Sequence, residues 1–324
     1  MSIHDLKVAF IGVSHWHVPL YFPAMAKGQV QAVSDPDENI AKKLASQLNC
    51  KCYTDWQKLL DEVKPDFVFA FAPHNQMKAL ALNLIARKIP FAIEKPLGLN
   101  AGEAAEVLKA VEDAKAFCAI PFVWRYSDTV ARLKESILKT KILHMQYRFI
   151  AGPPSRYLES SKWMLSSATA GGGCMTNLGV HFIDMALYLA DSPSAKVLSS
   201  VYQYNKDYDI EIYASSLLKM DTGASLAIET GYAYPMDSEN KRENHWCIVT
   251  EDGYYTLANN CLEAREFGKD AVNIPLNTDS DVYYPKFAEA TLDDCINGRR
   301  PRASAVEMLV VRKILDGMNE AAKC

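Results

Sequence analysis

The sequence lacks an excess of positive charge, a long apolar run and a secretion signal. Its 35 Lys and Arg residues are outnumbered by 39 Asp and Glu residues, which gives a formal net charge of −4. Binding to a phosphate backbone requires the opposite balance, so we predict no nucleic-acid partner. No apolar run approaches the roughly 18 uncharged residues of a membrane-spanning helix, so we predict no membrane association. The opening residues MSIHDLKVAF do not resemble a secretion signal, which predicts a cytoplasmic protein.

Cysteine is present, but in no pattern that forms a disulfide scaffold or a metal site. The eight cysteines are scattered over 324 residues without a C-x-x-C pair. Cys50 and Cys52 are two residues apart, a spacing that in a short strand puts both on one face, yet two thiolates with no second pair nearby make a poor zinc site. His15 and His17 form an H-x-H pair on a loop, where two such side chains are not expected to converge on one ion. We therefore predict reduced thiols and no bound metal.

Residues 7–121 alternate short apolar runs with amphipathic stretches. The runs are rich in Val, Ile and Phe, which is typical of strands buried on both faces of a parallel sheet. They are KVAFIGV, VQAVSD, FVFAFAP, FAIEKP and FCAIP. Apolar residues between the runs recur every three or four positions, which predicts crossover helices. These repeated units predict a doubly wound α/β domain over residues 1–122, with its ligand site beyond the carboxyl ends of the strands.

The second half of the chain has long alternating runs separated by turn residues. LHMQYRFI, SSVYQYN, EIYASSLLKM and SLAIETGYAY predict an open antiparallel sheet, and helices are predicted at about 178–190 and 303–321. The composition, 49% hydrophobic and 23% charged, is that of a globular protein. We therefore predict an α+β domain over residues 123–324, with a closing helix that packs back on the first domain. A cleft between the two domains is the expected active site.

The first apolar run and its turn, KVAFIGVSHWHV, resemble the segment of a dinucleotide-binding fold in which glycines let the backbone approach a pyrophosphate. Gly12 fills the place of the first glycine, whereas Ser14 and His17 stand at the other two. Asp35 follows the second run, where a carboxylate can accept hydrogen bonds from the adenosine ribose and repel a 2′-phosphate. The alternative is a turn aspartate before Pro36. The position favours NAD over NADP.

Two later motifs contain further candidates for chemistry. Glu94-Lys95-Pro96 closes the fourth run and places Lys95 at the carboxyl end of a strand, either as a cation in the cleft or as a solvated loop lysine. Three glycines, residues 171–173, precede a helix on which Asn177, His181 and Asp184 share one face. His181 is therefore either a catalytic histidine oriented by its neighbours or an ordinary core histidine.

Together these motifs resemble the glucose-fructose oxidoreductase and inositol dehydrogenase (Gfo/Idh/MocA) family of nicotinamide-dependent enzymes. The E-K-P tripeptide, the GGG…GxHxxD segment and the closing F…I-N-G-R-R-P…S-A-V-E pattern occur in the family's order. The resemblance implies a Rossmann domain followed by an α+β domain with an open antiparallel sheet. It also implies NAD as cofactor, a sugar, polyol or related cyclic alcohol as substrate, and a homodimer or homotetramer.

The resemblance further implies roles for single residues. Lys95 corresponds to the lysine that hydrogen-bonds the reacting oxygen, and His181 to the proposed acid and base, which suits removal of a hydride and a proton from an alcohol. Asn177, the third residue expected in the catalytic set, replaces the usual aspartate and is expected to leave His181 less basic. Met77 stands where members often have a histidine. The residues expected at the cofactor are Gly12, Val13, Ser14, His15, Asp35, Ala72, Pro73, His74, Glu94 and Lys95. Those expected at the substrate are Lys95, Arg125, Tyr157, Trp163 and His181, with Arg156, Tyr283 and Tyr284 as further candidates.

Two other functions remain open at this point. The altered glycine loop and Asn177 are compatible with a sugar or dinucleotide sensor that keeps the fold without turnover. Some relatives of the family are glycosidases that oxidise and re-reduce their bound nicotinamide within one cycle. Net reduction of NAD by substrate separates a dehydrogenase from both.

Overall fold

The computed structural model describes residues 2–159, 161–237 and 242–323, which form two compact units. The first unit runs to Pro121 and also contains Asp281–Leu309. The second consists of Phe122–Ser280 and the residues from Val310 onward. Within the described ranges, no helix is both long and apolar enough to cross a membrane.

The sheet of the first unit confirms the predicted doubly wound arrangement. Its strands are β1 (Val8–Ile11), β2 (Val30–Ser34), β3 (Lys51–Tyr53), β4 (Phe67–Ala70), β5 (Phe91–Ile93) and β6 (Cys118–Ala119). All pair in parallel, in the order β3-β2-β1-β4-β5-β6. The strand order reverses between β1 and β4, which is where doubly wound sheets bind ligands beyond the carboxyl ends of their strands.

Five helices follow strands of this sheet. They are α1 (Val18–Tyr21), α2 (Glu38–Leu48), α3 (Trp56–Val63), α4 (His74–Ala86) and α5 (Ala101–Ala114). The side chains of Asp37, Asp55 and Asn100 accept hydrogen bonds from N–H groups of the first turns of α2, α3 and α5, so each helix begins at a polar cap. β3 and α3 were not among the predicted elements, because no residue of β3 is fully buried and it carries no apolar run.

Within the described residues, the second unit contains an eight-stranded sheet, three helices that lie wholly inside it and the larger part of the closing helix. Every strand pair is antiparallel except β7 with β10, so the sheet predicted as antiparallel is mixed. The chain leaves β7, forms α8 and the β8–β9 hairpin, and returns beside β7 in the same direction. The strands are β7 (Ile142–Ala151), β8 (Ala195–Tyr204), β9 (Glu211–Met220), β10 (Ser225–Tyr232), β11 (Glu243–Thr250), β12 (Gly253–Ala258), β13 (Cys261–Glu266) and β14 (Val272–Pro275), in the order β14-β13-β12-β11-β7-β10-β9-β8. The helices are α6 (Asp128–Ile137), α7 (Ser167–Ala170) and α8 (Val180–Ala190).

Of the last two helices, only the second was predicted from the sequence. α9 (Tyr284–Ile296) belongs to the first unit, and α10 (Ala305–Ala321) confirms the closing helix within two residues of its predicted start. α8 confirms the predicted helix at about 178–190, except that a π-helical turn, Met175–Gly179, precedes it. Phe182, Met185 and Leu189 are buried, as the apolar stripe of that helix predicts.

Candidate active site

Gly12 makes the sharp turn after β1. Its φ is +78°, and a Cβ atom at this position would lie 2.1 Å from the backbone oxygen of Phe71. Both conditions exclude a side chain. The N–H of Gly12 donates to the backbone oxygen of Ser34 at 2.8 Å, which ties the loop to the end of β2. The fold therefore requires Gly12, the one glycine of the dinucleotide-binding loop that this chain retains.

Asp35 lies at the carboxyl end of β2 and holds the loop from behind. Its two carboxylate oxygens accept hydrogen bonds from the backbone N–H groups of Ser14 at 2.7 Å and Asp37 at 3.0 Å. The Asp35 side chain is buried, whereas Ser14 is exposed. A carboxylate offers about four lone-pair positions, so two remain for ribose hydroxyls after these bonds.

The helix that follows the loop is shorter than a dinucleotide fold normally supplies. α1 has four residues, and a 3₁₀ turn over Phe22–Ala24 replaces its continuation. Pro19 and Pro23 remove backbone donors from this segment. Because a single turn has little of the dipole that attracts a pyrophosphate, the expected contribution of a helix N-terminus is largely missing here.

The segment after β4 carries three of the residues expected at the cofactor. Ala72 and Pro73 are half-buried, and Pro73 directly precedes α4. His74, the first residue of α4, is buried. Met77, at the position where a histidine is frequent in the family, has no exposed surface and belongs to the core.

Two buried charges follow β5. Lys95 is 4% exposed and Glu94 is 1% exposed, so the alternative of a solvated loop lysine is wrong. Burial lowers the pKa of Lys95 to about 8, while the charges of Glu94 and Asp281 raise it. Leaving water disfavours the ammonium, and the result is a lysine that changes protonation state near neutral pH. Perturbed groups of this kind concentrate at functional sites.

The two histidines of the loop converge, contrary to the prediction. Their ring centroids are 5.0 Å apart, and one ligand atom from each lies within 4.8 Å of the Glu94 carboxylate and of the other. The backbone N–H of His17 donates to Nδ1 of His15 at 3.2 Å, and His15 stacks on Trp16 at 4.0 Å. Burial lowers the pKa of His15 well below its usual value, which keeps the ring neutral. The tight turn of the loop brings the two rings together, and the H-x-H spacing alone does not predict that turn.

In the second unit, the three glycines form a turn that packs on the start of β9. A Cβ atom on Gly173 would lie 2.1 Å from the backbone oxygen of Glu211. The buried Glu211 carboxylate accepts hydrogen bonds from the N–H groups of Gly173 at 2.7 Å and Met175 at 3.0 Å. Glu211 therefore anchors the π-helical turn that carries Asn177.

Asn177 is held by two tyrosines of the same unit. Its Nδ2 donates to the hydroxyl oxygens of Tyr157 at 3.0 Å and Tyr232 at 2.9 Å. Arg156 also donates to the Tyr157 hydroxyl, at 2.5 Å, and its guanidinium lies over both tyrosine rings. Both amide hydrogens of Asn177 are thus engaged, and only its oxygen can accept from another group.

The Arg125 and Asp184 side chains form a buried ion pair. Nε and Nη2 of Arg125 donate to the two carboxylate oxygens of Asp184 at 2.9 and 2.7 Å. Two N–H groups of Arg125 are thus committed to a carboxylate on α8. The placement of Arg125 at the substrate and the role of Asp184 as an orienting neighbour of His181 both stay predictions. His181 itself is the second residue of α8 and is half-buried.

Sequence models of one family match both units. Residues 6–122 match the oxidoreductase family with an NAD-binding Rossmann fold, and residues 137–256 match the GFO/IDH/MocA C-terminal domain. Together these matches cover well over half of the chain. The chain belongs to the Gfo/Idh/MocA family. This confirms the resemblance seen in the motifs.

Named relatives and solved structures are similar to the chain. It is 24% identical to levoglucosan dehydrogenase of Pseudarthrobacter phenanthrenivorans over 60% of this chain and 53% of the relative. It is 25% identical to myo-inositol 2-dehydrogenase of Thermotoga maritima over 49% of this chain and 46% of the relative. The alignments thus span about half the length of these relatives. A solved levoglucosan dehydrogenase in complex with NADH and levoglucosan superposes with a TM-score of 0.87 at 15% identity, over 98% of this chain and 97% of that one.

Sequence reasoning missed several contacts of this Gfo/Idh/MocA protein. Glu211 and Tyr232 carry no local signal, since each is one polar position in an alternating strand. Tyr284, considered as a substrate contact, is instead buried against His17 within the first unit. Tyr283 is also buried, and Trp163 is half-buried in a 3₁₀ turn over Lys162–Leu165. His17, which stands where a dinucleotide fold has its third glycine, was the available signal, because a bulky polar side chain at that position needs a hydrogen-bond partner.

Proposed function

We propose that the protein is an NAD-dependent dehydrogenase that transfers a hydride between nicotinamide and a secondary alcohol or carbonyl of a sugar, polyol or related cyclic substrate. The observation that carries the proposal is Lys95, a buried lysine at the carboxyl end of β5 in a Rossmann unit of this family. Its pKa of about 8 keeps much of it cationic at neutral pH.

Oxidation of an alcohol removes a hydride from carbon and a proton from oxygen. Bound NAD would accept the hydride. In our proposal the ammonium of Lys95 stabilises the negative charge that develops on the substrate oxygen, since a fixed charge in a buried site costs no reorganisation during the reaction. His181 accepts the proton, which requires its neutral form. Asn177, which is fixed by Tyr157 and Tyr232, holds the helical turn that lies four residues before His181.

The first unit fits NAD. Gly12 lets the chain turn tightly, Ser14 presents a small exposed side chain, and Asp35 offers lone pairs at the ribose position. These residues would hold the adenosine end, and Lys95 and Glu94 lie after β5 on the side where doubly wound sheets bind ligands.

We expect NAD to bind more tightly than NADP, because the negative charge of Asp35 opposes a 2′-phosphate. Asp35→Asn should narrow the difference in affinity, because it weakens the binding of NAD and strengthens the binding of NADP. Asp37→Asn is the matched control, since Asp37 caps α2 and asparagine caps helices equally well. Fluorescence titration of both cofactors measures the effect. Equal affinities in the unmodified protein would remove Asp35 from the cofactor site.

A panel of sugars and polyols tests the proposed reaction. The names of the relatives, levoglucosan dehydrogenase and myo-inositol 2-dehydrogenase, suggest cyclic polyhydroxy compounds as the first members of the panel. A dehydrogenase produces NADH absorbance in proportion to substrate. Release of an aglycone without net NADH indicates a glycosidase, and binding without either change indicates a sensor. The lowered pKa of Lys95 favours an enzyme over a sensor, because strongly perturbed pKa values cluster at catalytic sites.

Asn177→Asp should move the acid limb of the oxidation profile to higher pH. A carboxylate near His181 stabilises the imidazolium and raises its pKa, so the neutral form needed as a base appears only at higher pH. His181→Ala should remove the limb. His144→Ala is the control, since this histidine on β7 hydrogen-bonds Ser225 instead. Rate profiles against pH decide the point, and an unchanged limb in both site variants would mean that another group takes the proton.

We further propose a homodimer or homotetramer in the cytoplasm. Apolar side chains on the outer strands of the second sheet support the assembly, since Leu198, Val201 and Leu217 are 53, 59 and 40% exposed. NAD is a metabolite of the cell interior, which supports the location. Light scattering of the purified protein tests the assembly, and a strictly monomeric mass would contradict it.

A further inference from the structure

The first unit contains a buried hydrogen-bonded group that the proposed function does not use. We call it the Glu94 cluster: His17, Tyr21, Glu94 and Tyr284. Oε1 of Glu94 lies 3.0 Å from Nδ1 of His17 and accepts from the Tyr21 hydroxyl at 3.2 Å. The Tyr284 hydroxyl lies 2.8 Å from the same His17 nitrogen. All four residues are buried, so the cluster is shielded from competing water.

The cluster joins three distant parts of the chain within one unit. His17 stands on the cofactor loop where a dinucleotide fold has its third glycine, Glu94 follows β5, and Tyr284 is the first residue of α9. A glycine there normally permits close packing of helix and strand. Here a side chain fills that space and bonds to the residue next to Lys95. The loop and the Glu94-Lys95 turn are therefore linked by side chains.

The charges in the cluster bear directly on Lys95. Burial alone would raise the pKa of Glu94, but the charge and hydrogen bond of His17, together with smaller effects of His15 and Lys95, hold that pKa well below the usual range. Glu94 therefore stays ionised. Its charge in turn raises the pKa of Lys95 against the larger effect of burial. His17 thus affects Lys95 through Glu94.

A metal ion is a poorer explanation for the same atoms. Nδ1 of His15 already accepts the backbone N–H of His17, so a neutral ring carries its proton on Nε2 and has no lone pair there for a metal. Nδ1 of His17 is engaged by Glu94 and Tyr284. A three-ligand site would have to break these bonds. The hydrogen-bonded arrangement satisfies the groups as they stand.

We propose that His17 and Tyr284 are positioning residues, which hold the ionised Glu94 in place beside Lys95 and so keep the Lys95 ammonium charged and correctly placed. The proposal rests on the proposed function, in which that ammonium acts on the reacting oxygen. The titratable groups that act electrostatically on Lys95 or on its neighbours Glu94 and His15 are His15 and His17 from the loop, His74 from α4, Glu94, Asp281, Tyr21 and Tyr284.

Two variants of His17 separate positioning from simple space filling. His17→Leu removes the donor to Glu94, whereas His17→Asn keeps an N–H donor near the place of Nδ1. We expect His17→Leu to lower kcat by about 10²-fold, a loss typical of a small misplacement of a reacting group, with little change in KM. His17→Asn should restore most of the rate. Tyr284→Phe should act in the same direction with a smaller effect, and it preserves the packing of α9.

The pH dependence supplies a sharper readout. Without His17, the buried Glu94 takes up a proton more readily, and Lys95 loses the negative charge that raises its pKa. The ammonium then deprotonates at lower pH, so the basic limb of the rate profile moves to lower pH. Glu94→Gln should give the same shift, and adding His17→Leu to it should give no further shift, since both changes act through one carboxylate.

A measurement without turnover keeps this proposal distinct from the proposed function. The rate of Lys95 acetylation by acetic anhydride, followed by peptide mass spectrometry at pH values around 8, reports its titration directly. A shift to lower pH in His17→Leu and Tyr284→Phe, absent in His17→Asn, supports the proposal even if no substrate is found. Unchanged acetylation profiles in both of the first two variants would overturn it. So would one equivalent of zinc that survives dialysis in the unmodified protein and is lost in His17→Leu.

Discussion

Lys95→Met is expected to reduce turnover by about 10³-fold, the upper range for removal of one group that stabilises a developing oxyanion. Methionine has nearly the length of lysine but no charge, so the buried volume beside Glu94 stays filled. The ammonium acts mainly on charge that appears in the transition state, and NAD affinity should therefore remain within about tenfold. Because a buried charge is removed, the fold should not be weakened.

Stopped-flow measurement of NADH formation and titration of NAD separate the two effects. The matched control is Lys109→Met on α5, where the lysine is exposed and pairs with Asp113 four residues on. This variant should retain full activity. If Lys95→Met also retains it, Lys95 is a structural lysine and the proposed mechanism fails. A large loss of NAD affinity with an intact rate at saturation would instead make Lys95 a cofactor ligand.

The first sheet was predictable because each element has a strong local pattern. Apolar runs identify β1, β2, β4 and β5, and the crossover helices follow from the spacing between them. The second sheet was harder, because alternation along a strand indicates its buried face but not its neighbour or direction. Nothing in LHMQYRFI or SLAIETGYAY shows that β7 and β10 lie in parallel. β11 to β14 were missed for a related reason, as three of them have six residues or fewer.

The candidate site also contains residues that the sequence predicts and residues that it does not. Gly12, Asp35 and Lys95 were found from the sequence because each sits at a strand end, and the strands were predictable. The hydrogen-bond partners of the site residues could not be found in this way. Tyr284 is 267 positions from His17 in the chain, and no periodicity links them. Asn177 and Asp184, two residues of the predicted polar face, are buried, and their partners Tyr157, Tyr232 and Arg125 come from other segments.

The largest effect on stability is expected at the Arg125–Asp184 pair. The side chain of Arg125 is 12% exposed and that of Asp184 is 2% exposed, so removing Arg125 leaves an almost fully buried carboxylate without this counter-charge. Arg125→Leu should lower the free energy of unfolding by about 3–5 kcal/mol, as in other broken buried ion pairs. Arg125→Leu combined with Asp184→Leu should recover much of this loss, because apolar groups of similar size carry no desolvation cost. Urea denaturation of the single and double variants gives the coupling energy.

Lys134→Met provides the control, from a more exposed ion pair of the same unit. Lys134 on α6 pairs with Asp191 at the end of α8, and because Asp191 is 78% exposed, the loss of unfolding free energy should stay below about 1 kcal/mol.

The comparison of the two variants also decides what Arg125 does. An arginine that binds substrate raises KM when it is replaced and leaves the unfolding curve nearly unchanged. If Arg125 instead neutralises Asp184 on α8, replacing it unfolds the helix that carries His181, and activity is then lost together with the fold. Single-variant losses that simply add in the double variant would show that the two charges do not depend on each other.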